Sequence, residues 1–203
     1  MSSSNEYIEL SDKQLKKMVN NYRYYRKDIN NTRISILQEI KELDDMIAAI
    51  SLPGYSVDSE GGKTNKKQDP VFLSYIKLTT SRYREKIIRL QQDLSELNQK
   101  EIAFDRVMSA FRCTMWICPI AYEIVTRLCV NVEKIDTWET VAADLCVSKS
   151  YLSEARNFMY ELVRIIYKSD YDTEDIDSMT EENIYALVEA GADESLLKRI
   201  DKF

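Results

Sequence analysis

The sequence predicts an all-α protein, and three observations carry that prediction. Only four glycines and three prolines occur in 203 residues, and most of them fall within residues 53–70. The tracts 1–52, 71–118 and 120–190 contain neither residue, which leaves little turn chemistry for β-hairpins. Apolar residues recur at spacings of three and four over long stretches, the period of an amphipathic helix.

The first helix is expected to begin at Ser11, because Ser11-Asp12-Lys13-Gln14 has the form of a capping box. Its stripe runs through Leu15, Met18, Tyr22, Tyr25 and Ile29, then Ile36, Ile40, Leu43, Ile47 and Ile50, and Pro53-Gly54 ends it. Residues 53–70 read as a flexible loop holding Gly61-Gly62 and the basic group Lys63, Lys66 and Lys67. Asp69-Pro70 then has the form of an N-cap followed by proline at the first helical position. The second long helix carries Ile76, Tyr83, Ile87, Leu90, Leu94, Leu97, Phe104 and Met108.

Two such helices joined by a loop are expected to fold back as an antiparallel, coiled-coil-like hairpin over residues 1–110. Their narrow stripes leave room for another helix, so Ile87, Leu90, Leu94 and Leu97 are candidate assembly residues, and a homodimer is a candidate state. Residues 111–135 are more apolar, with a break at Pro119, and read as a core helix leading into a second domain over 111–169.

Within that domain lies the strongest local signal. Asp136-Thr137-Trp138-Glu139 reads as a further capping box, opening a short helix through Leu145. Cys146-Val147-Ser148 follows, then a helix from Lys149 to about Lys168. Together they read as a helix-turn-helix whose small core is Trp138, Val141, Ala142, Leu145, Val147 and Leu152. Ala142 supplies the small side chain that two closely crossing helices require. Ser148 is expected to cap the recognition helix, leaving Lys149, Ser150, Tyr151, Ser153, Glu154, Arg156 and Asn157 on its exposed faces. Of these, Ser148, Lys149, Ser150, Tyr151, Ser153, Arg156 and Asn157 are the candidate DNA contacts, since Arg and Asn read guanine and adenine bidentately and Ser reaches phosphate or base. The turn position usually held by glycine is Cys146, which must then take a less comfortable backbone conformation.

These residues resemble a known group. The stretch from Ile120 to Val163 is similar to the C-terminal promoter-reading domain (region 4) of bacterial sigma factors, and more closely to the sigma-like domain of the phage ArpU/RinA late-transcription regulators. The matching residues are Tyr122, Ile124, Val125, Leu128, Trp138, Glu139, Ala142 and Ser148. A charged helical pair with an intervening loop, as in residues 12–110, precedes that domain in the family. The resemblance implies sequence-specific binding of double-stranded DNA at a phage or mobile-element promoter, late-gene activation and contact with host RNA polymerase.

Charge qualifies the DNA reading. Lys and Arg number 28 against 34 Asp and Glu, a net charge of -6. Residues 171–203 hold ten acidic and three basic groups, while the rest of the chain is near neutral. The expected recognition helix is only slightly basic, so a monomer is expected to bind weakly, with a dimer or polymerase making up the deficit. Residues 170–203 read as an acidic helical tail, with Thr180 capping a helix Glu181–Ala190, Gly191 ending it and Asp193 starting a last short helix. That tail either docks on the body as a small helical pair or weakens nonspecific DNA binding and presents a polymerase contact.

Other functions find less support. With no histidine in the chain, His-dependent catalysis and imidazole-containing zinc sites are excluded. Cys113, Cys118, Cys129 and Cys146 form no C-x-x-C pair and lie among apolar residues, so buried, reduced thiols in a cytoplasmic protein are expected. Gly62-Lys63-Thr64 echoes the end of a phosphate-binding loop but lacks the earlier glycine. Asp170, Asp172, Glu174 and Glu181 echo a calcium loop that has Asp175 where glycine is needed. Tyr22 through Lys27 forms a basic-aromatic strip whose Arg23, Arg26 and Lys27 face solvent and can touch phosphate. No enzymatic activity, cofactor, metal, membrane span or small-molecule substrate is expected. Two rival readings are a protein-binding module, an inhibitor whose helix-turn-helix no longer reads DNA, and a small terminase-like DNA-packaging subunit.

Overall fold

Ser11 accepts a hydrogen bond from the Gln14 amide while the Gln14 side chain accepts from the Ser11 amide, so the expected capping box opens α1, Asp12–Asn20. The computed structural model describes residues 8–51, 70–131 and 135–200. Its described elements are all helical: α1, α2 (Tyr22–Ser51), α3 (Pro70–Ile117), α4 (Pro119–Val125), a π-helical turn (Thr126–Val130), α5 (Trp138–Asp144), α6 (Lys149–Tyr167), α7 (Thr173–Ser178), α8 (Glu181–Gly191) and α9 (Glu194–Ile200). The loop expected over 53–70, with its Gly61-Gly62 and lysines, lies outside the described residues apart from Pro70, which begins α3. No described helix is long and apolar enough to cross a membrane.

The first helix is not continuous. Asn20 ends α1, because its Oδ1 accepts from the Tyr160 hydroxyl and from the Cys129 thiol, and Asn21 caps with φ -112 before α2 begins. Two compact units form, one from Met1–Asp28 with Gln99–Phe203 and one from Ile29–Asn98. The division expected at residue 110 falls inside α3, and residues 12–28 pack with the C-terminal region instead.

In the Ile29–Asn98 unit, Arg33 donates to Asn98 and Lys86 pairs with Glu39, so α2 and α3 run antiparallel over this stretch. The seam is narrow. Ile29, Ile36, Leu43, Leu90 and Leu97 are buried, whereas Ile87 and Leu94 are half-buried.

In the other unit α6 is the central element. Leu152, Ala155, Phe158, Met159, Leu162, Val163 and Ile166 are fully buried on it, and α1, α4, α5 and α8 all pack against it. A helix that is apolar on most sides belongs in a core. Its C-terminal end is closed by the buried Arg106 of α3, which donates to the carbonyls of Tyr167 and Ser169 at 2.9 and 2.7 Å. The guanidinium satisfies two carbonyls that the helix end leaves open, and it suits the negative end of the dipole.

The acidic tail is part of this core. Ile176, Ile184, Val188, Leu196 and Ile200 are buried among α6 and its neighbours. Thr180 caps α8 as expected, and Asp193 accepts from the Leu196 amide at the start of α9. One further helix, α7, has no counterpart in the sequence reading. Asp172 caps it, Arg112 grips Asp177 at 2.8 Å, and the Cys113 thiol donates to the Ile176 carbonyl. Gly191 lies where α8 closes on α6. A Cβ there would stand 2.6 Å from the Ile165 Cγ2.

Candidate nucleic-acid interface

The connection between α5 and α6 is set by backbone chemistry. Leu145 is the C-cap of α5, and Cys146 follows at φ 55. The Cys146 amide donates to the Ala143 carbonyl at 3.2 Å and the Val147 amide to the Ala142 carbonyl at 3.0 Å. Those two bonds are the Schellman pattern, in which the residue past the helix end turns left-handed and the freed carbonyls are recaptured. Cys146 therefore takes the conformation usually left to glycine, and its thiol is exposed rather than buried as expected, because it sits at the turn while Cys113, Cys118 and Cys129 lie in the core. Ser148 then has extended backbone, and its hydroxyl accepts from the Tyr151 amide at 3.1 Å, capping α6.

At the start of α5 the expected capping box is corrected by one residue. Thr137 is the cap and accepts from the Thr140 amide at 3.2 Å. Asp136 is engaged elsewhere, taking a 2.7 Å bond from Arg127 Nε. The same guanidinium also bonds Asp144, so Arg127 ties the π-helical turn to both ends of α5. The carboxylates of Asp144 and Asp136 hold the Arg127 guanidinium above its ordinary pKa.

Beneath this pair the apolar residues close together. Val141 and Leu152 are fully buried, and Trp138, Ala142, Leu145 and Val147 pack against the same cluster half-buried. Above it, Ser148, Lys149, Ser150, Glu154 and Asn157 are exposed and Ser153 is half-exposed. Two candidate DNA contacts differ from expectation. Tyr151 is half-buried and packs on the core. Arg156 is half-buried with its guanidinium 4.7 Å from the centre of the Trp138 ring, and its Nε is buried without a hydrogen-bond partner. A cation over the indole face gains from the ring quadrupole, and that contact links α6 to α5 rather than reaching outward.

Lys149 is also held. Its ammonium pairs with Glu139 of α5, which keeps the Glu139 carboxyl below its ordinary pKa. No sequence signal marked this pair, because its members sit ten positions apart on different helices. From Asp136 to Asn157 the chain has four acidic and two basic residues, so the whole face is mildly negative. Among the described residues no group of His, Cys, Asp or Glu is arranged to hold a metal ion.

The architecture thus defines an all-α chain that sets the capped end of a central helix at its surface. Compared with family models, with curated proteins and with solved structures, the chain has no match.

Proposed function

We propose that α5, the Cys146 turn and α6 form a helix-turn-helix that binds double-stranded DNA, and that the protein regulates transcription. The observation that carries this reading is the Schellman-closed turn followed at once by a Ser148-capped helix. Its first turns are open, while Val141, Leu145, Val147 and Leu152 seal the space beneath. A recognition helix needs that combination of a fixed axis and a free N-terminal end. Base contacts fall to Ser150, Ser153 and Asn157, phosphate contacts to Ser148 and Lys149. Arg156 and Tyr151 support the helix from within. Activation of phage or mobile-element late genes together with host RNA polymerase is the setting that the sigma-like resemblance implies.

The test is selection of bound duplexes from a random DNA pool at near-physiological salt, with Ser150→Ala/Asn157→Ala as the control. An enriched motif that the double variant loses supports the proposal. Failure of any motif to emerge, with or without added polymerase, overturns it.

The electrostatics favour one second reading. A face with a surplus of two acidic groups, and with both of its cations occupied, also suits a basic protein surface. On that reading the helical pair is a protein-binding module, and capture of a partner is unaffected by competing DNA.

A further inference from the structure

Residues 13–27 contain Lys13, Lys16, Lys17, Arg23, Arg26 and Lys27 and no acidic residue. All six are exposed. They occupy α1 and the first turns of α2, and they belong to the same compact unit as α6. The opposite side of this segment is fixed to the core. Leu15, Met18 and Val19 are buried, and Tyr22 and Tyr25 stack on Phe104 with ring centres 5.6 and 5.1 Å apart. The cations are therefore presented on an ordered surface.

Most other described cations of this unit are treated differently, although Lys100 and Lys168 are also exposed. Arg112, Arg127, Lys149, Arg164, Lys198 and Arg199 each pair with a carboxylate, and Arg106 and Arg156 are turned inward. By contrast, Lys13, Lys16, Lys17, Arg23, Arg26 and Lys27 make no ion pair within 4.0 Å among the described residues. Lys16 lies over the Tyr160 ring, and Arg26 feels Asp105 only at longer range.

We infer that this strip is a phosphate-binding surface that holds the backbone of a nucleic-acid duplex without reading its sequence. At 1.5 Å per residue, fourteen steps of helix span at most about 21 Å. One DNA strand presents about six phosphates over that length, at 3.4 Å per phosphate, and the strip offers six cations. Other polyanionic partners fit less well. The apolar side that an amphipathic helix inserts into lipid is here buried in the core. A protein interface is expected to centre on apolar anchors, and among residues 13–27 only Tyr24, 66% exposed, is a large apolar side chain open to solvent.

The inference rests partly on the DNA reading above but acts at a different surface, so the two fail separately. The full chain is titrated with a random-sequence 20-base-pair duplex between 50 and 200 mM salt, on the order of the range over which such contacts respond. Lys13→Gln/Lys17→Gln/Arg23→Gln/Lys27→Gln removes four exposed charges. The slope of log affinity against log salt is then expected to fall by about 3 to 4, at about 0.9 per lost contact. The charge-retaining Lys13→Arg/Lys17→Arg/Arg23→Lys/Lys27→Arg is expected to keep the slope, as is neutralisation of Lys41, Lys77, Arg82 and Arg89 on the helical pair. An unchanged slope in a variant whose helical circular dichroism matches the parent overturns the inference. So does binding to phosphatidylserine vesicles in a chain that ignores the duplex. A motif selected through α6 with no response at the strip defeats only this inference, and a response at the strip with no selected motif defeats only the specific reading.

Discussion

Cys146 carries the most local test of the α5–α6 connection. It adopts φ 55 at the position that closes the Schellman turn, and its side chain is exposed. An L-residue in the left-handed region is disfavoured by roughly 1–2 kcal/mol relative to the right-handed one. Glycine escapes that cost but loses about 0.5–1 kcal/mol more backbone entropy on folding. Cys146 buries little area, and its thiol makes only a long contact of 3.7 Å to the Ala143 carbonyl. The balance puts Cys146→Gly at about 0.5–1 kcal/mol more stable than the parent. In a chain of this size that is about 1–4 °C in melting temperature. Cys146→Val works in the opposite direction, because a β-branched side chain is a genuine outlier at positive φ, and is expected to destabilise by about 1 kcal/mol or more. Thermal unfolding followed by the fluorescence of Trp116 and Trp138, both in the same compact unit, reads the series. Glycine below the parent, or valine at or above it, refutes the assignment of strain to Cys146.

Three further outcomes follow from the packing. Arg156→Ala removes the cation from the Trp138 ring and is expected to cost about 0.5–2 kcal/mol, with a red shift of Trp138 emission in the folded protein; unaltered emission would contradict the stacked placement. Ile184→Ala opens a cavity at a fully buried site of the acidic tail and is expected to cost about 2–5 kcal/mol by urea denaturation. A loss under 1 kcal/mol would show that the tail is not integral to the core. Burial pushes the Cys113 thiol from its ordinary 9.0 up to about 11 and the Cys118 thiol up to about 12. In that window the unfolded chain loses these protons before the folded one, so stability is fully present below pH 9 and falls as pH rises toward 11 and 12. Melting temperatures between pH 8.5 and 11, in the parent and in Cys113→Ser/Cys118→Ser, measure the slope, which is expected to flatten in the double variant.

What the sequence revealed follows a physical boundary. Helix starts at Ser11, Ser148 and Thr180 were legible because a cap is a local bond between residues three apart. The unusual backbone at Cys146 was legible for the same reason. The sequence alone leaves the start of α5 ambiguous by one residue, because Asp136 and Thr137 are both good caps. The choice between them is made by Arg127, which claims Asp136. The break at Asn21 depends on Tyr160 and Cys129, more than a hundred positions away. Together with the burial of Leu15, Met18 and Val19 and the stacking of Tyr22 and Tyr25 on Phe104, that long-range contact places residues 12–28 with the C-terminal unit. Helical spacing alone places Arg156 outward, since it fixes only an angle about the axis, whereas a neighbouring indole decides where the long side chain settles. Helix α7 has no legible signal, because its six residues bury one large side chain, Ile176, too few for any period to emerge.

The distribution of charge has a consequence for how binding would be organised. The Lys149–Glu139 pair is exposed, and such pairs contribute at most about 1 kcal/mol, so a phosphate can compete for Lys149 at small cost. Doing so leaves Glu139 unpaired beside the polyanion, with Glu154 exposed on the same helix. On the proposed DNA reading, the gain at Lys149 is therefore largely cancelled by repulsion, and the α6 face would serve discrimination between sequences more than affinity. Under the DNA reading, affinity has to come from cations outside ion pairs, and among the described residues of this unit most of those lie in residues 13–27. Under the two proposals, substitutions at Ser150 and Asn157 change which sequence is preferred while leaving the salt dependence nearly constant. Substitutions in the strip change the salt dependence and leave the preference intact.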